Sequence, residues 1–182
     1  MGLYIVLGIA VIIVLYAIIL FNNLVSARNS VNEAFATMDV YLKQRWDLIP
    51  NLVKCVKSYA EYEKEVLEEV TNLRAQLYDT LNKNAKLKAN EKINDNLGKL
   101  IALAENYPEL KANEVFLDLQ EKLTKVEDDI AYSRKYYNAN VRDYNYKVEM
   151  FPSNIIANIF NFKKEKMFVI FEAERSKPEV NL

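Results

Sequence analysis

The chain has 182 residues and a formal net charge of −1, with no histidine. That charge balance offers nucleic acid no basic face. The missing imidazole removes the commonest general base, every Ser-His or Cys-His pair, the common zinc ligand sets and the Glu-x-x-His ligands of di-iron bundles.

Three glycines and four prolines among abundant Leu, Ala, Glu and Lys describe a helical protein, since an all-β fold needs many more turns. The lone Cys55 excludes an intrachain disulfide, and its neighbours Leu52, Val53 and Val56 mark it as a small core residue.

From Leu3 to Phe21 the chain reads LYIVLGIAVIIVLYAIILF, without a charge. As a helix this run spans about 28 Å, close to the hydrocarbon thickness of a bilayer. Val25-Ser26-Ala27 resembles a signal-peptide cleavage site, but no Lys or Arg precedes the run and it exceeds the usual length of a signal-peptide core, so an uncleaved anchor is favoured. Arg28, Lys43 and Arg45 follow the span, which places the short N-terminus outside and the remainder in the cytoplasm.

Apolar residues then recur at spacings of three and four from Val31 through Leu42, Trp46, Ile49 and Val56 to Leu77, and again from Phe116 to Phe151. Ile93 to Leu103 marks a shorter helix, the Asn-rich stretch Asn82 to Asn90 a loop, and Asn106-Tyr107-Pro108 a stop. Asn113 is placed to cap the last long helix, and Phe151-Pro152-Ser153 to end it. Beyond that, SNIIANIF reads as a short amphipathic turn or two, and FKKEKMFVIF as extended or frayed.

Pro50 interrupts this pattern. Within a helix it costs about 3 kcal/mol, but in a first turn capped by Asp47 it costs little. The favoured reading is a corner at 47–50. The undisturbed apolar phase through Pro50 supports the alternative of a kinked single helix. A corner implies an antiparallel up-down four-helix bundle with helices at about 48–82, 91–106 and 114–150 following the anchor. The division is then an anchor over 1–23, a bundle over 24–152 and a tail over 153–182.

Three groups are candidate sites. Arg45, Trp46, Asp47, Pro50, Asn51 and Tyr107, with Glu109, would form a partner-docking tip, or Trp46 would tuck into the core while the others cap the corner. Tyr137-Asn138 and Tyr144-Asn145 lie one heptad apart; they would form either an inter-subunit or ligand contact or, as favoured, an internal polar layer aligning the bundle's helices with Arg45 or Arg134. Ile156, Phe160, Phe162, Lys163, Lys164 and Lys166 would meet the membrane surface, or the segment would fold back along the bundle or pair with a neighbouring chain. The adjacent carboxylates Glu68-Glu69 and Asp128-Asp129 do not face each other on a helix and read as solvated faces.

The stretches MDVYLKQRWDLIPNLVKCVKSYAEYEKEVLEEVTNLRA, ENYPELKANEVFLDLQEKLTKVEDDIAYSRKYYNANVRDYN and FPSNIIANIFNF, and the order of a span followed at once by NNLVSARNSVNEAF, resemble the LemA family of bacterial membrane proteins. The resemblance reaches to about Glu172. It implies an anchored helical bundle in a bacterial inner or cytoplasmic membrane and supplies no catalytic chemistry.

The function expected is a non-enzymatic, membrane-anchored scaffold or adaptor that self-associates, with membrane remodelling or sensing through the C-terminal segment as the alternative. Expected partners are the lipid bilayer, further copies of the chain and, for an adaptor, another membrane protein. No nucleic acid, metal or cofactor is expected.

Overall fold

The computed structural model describes residues 1–59 and 81–168. Among the described residues the elements are five helices: α1 (Gly2–Lys57), α2 (Lys83–Glu105), α3 (Pro108–Lys111), α4 (Glu114–Glu149) and α5 (Ser153–Ile159). Among the described residues there is no strand, and 162–168 run as irregular chain. The expected apolar positions from Val66 to Leu77, the Glu68-Glu69 pair and the tail beyond Phe168 lie outside the described residues.

α1 is unbroken through Pro50, which corrects the corner expected at 47–50. Asp47 is an interior helical residue there and caps nothing. The reason is packing. Leu42, Trp46, Ile49, Leu52 and Val56 are all buried on one stripe. Burying such side chains contributes about 1.5–3 kcal/mol each, which together exceed the local proline cost of about 3 kcal/mol. The corner was the ground for expecting an antiparallel four-helix arrangement; the described elements are all helical, without a corner at 47–50. The front of α1 is exposed from Gly2 to Tyr16 and is long and apolar enough to cross a membrane.

α2 starts at Lys83, so residues 83–90, expected as a loop, are helical. Asn82 has an extended backbone and its side chain accepts a hydrogen bond from the Ala85 amide at 2.9 Å, capping the helix. Leu87, Ala89 and Asn90 then become buried. α4 begins as expected: Asn113 Oδ1 accepts from the amides of Val115 and Phe116 at 2.9 and 3.1 Å. It ends before the cis Phe151–Pro152 bond, and SNIIANI forms α5.

The chain divides into two compact units, Met1–Ala36 with Arg134–Leu182 and Thr37–Ser133. The first has a core of Leu24, Val31, Tyr137, Val141, Tyr144 and Ala157. The second is cored by Met38, Leu42, Trp46, Leu100, Leu110 and Ile130. Within it, Lys86 and Asp39 pair at 2.6 Å between α2 and α1, and Asn113 donates to the Tyr59 hydroxyl at 2.9 Å.

Because packing holds Pro50 in the helix against its local preference, Pro50→Ala restores a backbone donor without disturbing the buried stripe. It is expected to raise stability by about 1–3 kcal/mol, read as a higher midpoint in thermal unfolding.

Candidate functional site

On α4, Tyr137 and Tyr144 lie one heptad apart, as do Asn138 and Asn145, so each pair recurs on nearly one face. What lies on that face is the chain's own C-terminal segment. The Tyr144 hydroxyl donates to the Lys163 carbonyl and the Tyr137 hydroxyl to the Lys166 carbonyl, both at 2.9 Å.

The asparagines do more. Asn145 donates to the Glu165 carbonyl and accepts from the Glu165 amide, both at 2.9 Å. Asn138 does the same to Phe168, at 2.9 and 2.8 Å. Each carboxamide thus completes both polar groups of one residue, as a neighbouring strand would. The segment runs antiparallel to α4.

The repeat is a match of lengths. Seven helical residues advance about 10.5 Å, and three extended residues about 10 Å. Contacts one heptad apart on α4 therefore meet residues three apart on the segment: 163 and 166, then 165 and 168. Phe162 and Phe168 close the two ends. Both are buried, with the Arg28 guanidinium 5.1 Å from the first ring and that of Arg134 4.6 Å from the second. Phe35 meets the Tyr137 ring edge-on at 5.9 Å.

Burial pushes the Tyr137 phenol well above its usual range, and the Glu165 carboxylate adds to the rise. Tyr144 is raised by burial, with Arg28 pulling it down and Glu165 pushing it up.

Of the expected membrane-contact residues, Phe162 is a core residue, packed 5.7 Å from Phe21, because it anchors the ladder's first end. Ile156 is half-buried, and Lys164 is paired with Glu149. Phe160, Lys163 and Lys166 are exposed. Met150, Phe151, Ile155 and Ile159 are exposed as well, and the Phe160 ring lies 4.7 Å from that of Phe21, the last residue of the apolar run.

The expected docking tip is not a single surface. Arg45 and Trp46 are buried, so neither is available to a partner. Arg45 joins Glu127 at 2.6 Å, the Asn94 side chain, and the Asn90 carbonyl at 3.3 Å, tying α1 to α2 and α4. A charge taken from water in this way needs such partners.

Asp47 and Asn51 line two open grooves that share Lys122, the first with Gln44 and Lys125, the second with Lys54, Cys55 and Asn113. Tyr107 precedes α3 and lines neither. Pro50 is half-buried within α1. Cys55 is half-buried rather than core, and burial raises its thiol.

Residues 34–182 match the model of the LemA family. The chain belongs to the LemA family. Among its relatives, Protein LemA of Metamycoplasma hominis is 24% identical over 155 residues, covering 85% of this chain and 71% of that protein. Magnetosome proteins MamQ 1 and MamQ 2 of Paramagnetospirillum magneticum are each 24% identical over 174 residues, covering 81% of this chain. This LemA-family chain spans 64% of the length of those magnetosome proteins.

The ladder makes a pH prediction. A phenol raised in the folded state stabilises the fold fully below the ordinary value of about 10, and that contribution is lost as pH rises through the folded value. Ultraviolet titration is therefore expected to show a late-ionising tyrosine fraction that Tyr137→Phe diminishes and Tyr137→Phe with Tyr144→Phe removes. Asn138→Ala, which strands the Phe168 amide and carbonyl together, is expected to cost more than Tyr144→Phe, about 1–3 against about 0.5–1.5 kcal/mol in denaturant unfolding.

Proposed function

We propose that this LemA-family protein is a single-pass, membrane-anchored scaffold that does no catalysis itself and works by self-association at a bacterial membrane. The observation that carries the reading is the exposed front of α1. From Gly2 to Tyr16 it presents no charged side chain and is exposed throughout, in the same unbroken helix that enters both folded units. Such a length of apolar helix is stable in lipid and costly in water. Arg28 and Lys43 after the run favour a cytoplasmic position for the rest of the chain. A shared membrane would concentrate copies and favour lateral pairing.

One observation favours a second reading, contact with the bilayer surface by α5. Met150, Phe151, Ile155, Ile159 and Phe160 are exposed apolar residues at and around α5, and the Phe160 ring lies against that of Phe21, where the apolar run ends. Apolar side chains at that level would enter the headgroup layer.

The two readings separate experimentally. The mass of the protein extracted in native lipid nanodiscs is expected to be that of a defined homo-oligomer. A monomer carrying one stoichiometric partner would instead make it an adaptor and overturn the self-associating scaffold. For the second reading, Ile159→Asp with Phe160→Ser is expected to abolish bilayer deformation of vesicles while leaving the nanodisc mass unchanged. Deformation that persists would count against α5.

A further inference from the structure

The ladder on α4 has the properties of a receptor for extended polypeptide. All six of its hydrogen bonds end on main-chain atoms, those of Lys163, Glu165, Lys166 and Phe168. The side chains of Lys163, Lys164, Lys166 and Met167 are exposed. Selectivity is left to two aromatic anchors six residues apart, Phe162 and Phe168, each beside an arginine. This is recognition of the kind by which a strand is added to a sheet edge, with main-chain bonds giving affinity and spaced pockets giving choice.

The occupant reaches the ladder through a tight hinge. α5 stops at Ile159, the Phe162 amide bonds back to the Ala157 carbonyl at 2.8 Å, and the chain reverses at Asn161, whose φ is 57°. That left-handed backbone is unfavourable for any residue with a side chain, though least so for asparagine. Turning Asn161 to an extended φ would relieve it and release residues 162–168 as a straight arm of about 23 Å, leaving α5 intact.

We infer that the Tyr137-Asn138/Tyr144-Asn145 ladder also accepts residues 162–168 of a second copy of this chain, so that copies are joined by exchange of their C-terminal segments. The inference rests on the self-association proposed above and gives it a mechanism. Closed and exchanged forms make the same six bonds and bury the same two rings, so exchange changes no local contact except the hinge. Short hinges under backbone strain are where such exchange arises. Membrane-anchored copies hold their ladders at one height, which reduces the entropy of association.

The pair Lys164–Glu149 reports where the segment lies. It is exposed on both sides and joins the segment to α4. Equal amounts of heavy-isotope and light full-length chains are reconstituted together in lipid vesicles and treated with a carbodiimide, which converts a touching Lys and Glu into an amide. Peptides joining residue 164 to residue 149 are then read by mass.

Exchange predicts mixed-isotope adducts, amounting to about half of those formed between chains. These should fall at least about ten-fold in Asn138→Ala with Asn145→Ala, because the ladder bonds that hold the segment are gone. Same-isotope adducts alone would place every segment on its own chain and overturn the inference. The absence of any 149–164 adduct would do the same. Mixed adducts that survive the double substitution would mean the segments meet elsewhere, which also overturns it. An oligomeric nanodisc mass with only same-isotope adducts would leave the scaffold standing and reject the exchange, whereas a monomeric mass would reject both.

Discussion

Everything distinctive in the first unit depends on one commensurability: a heptad of α-helix and three residues of extended chain cover nearly the same distance. An extended chain laid along a helix ordinarily leaves its amides and carbonyls unpaired, because the helix has spent its own. Here side chains take over that role. Two asparagines supply a donor and an acceptor each, two tyrosines supply donors, and the shared period lets the same pair of residue types serve twice. The tyrosine rings meanwhile fill the core beneath, so the polar ladder and the apolar packing are built from the same residues.

The second unit answers a related problem with charge. Arg45 lies on the buried stripe of α1 between Leu42 and Ile49, where a leucine would pack without penalty. Its guanidinium instead collects a carboxylate, a carboxamide and a backbone carbonyl from α2 and α4. Such an arrangement adds little net stability but penalises any register in which the partners do not meet. The same helix carries Pro50 without a break, so the helical state of α1 around Pro50 is held by what it buries and not by local preference.

Much of this was legible in the residues. The apolar run, the span of α4, its Asn113 cap, the stop at Phe151-Pro152 and the short α5 follow from periodicity and end signals. Pro50 was misread because a local breaker was weighed above an apolar phase that continued through it, and continuity of burial decided the matter. Residues 83–90 were misread because asparagine and lysine suggest a loop, while Leu87 and Ala89 find a core that no local pattern reveals. The heptad of Tyr-Asn pairs was visible, but its partner was sought among helices or other chains. The signal available was the spacing of Phe162, Glu165 and Phe168 at intervals of three, which matches the heptad only if that segment is extended. Arg45 could have been placed in the core by its position on the Leu42–Ile49 stripe.

The central claim is that asparagine side chains on α4 pair with single residues of an extended segment. Amide hydrogen exchange of the full-length protein in lipid nanodiscs tests it most directly. The account predicts slow exchange at Glu165 and Phe168, whose amides donate to Asn145 and Asn138, and fast exchange at Lys164 and Met167, for which the ladder supplies no acceptor. In Asn138→Ala only Phe168 should become fast. Uniformly fast exchange from 163 to 168, or protection indifferent to Asn138, would contradict it.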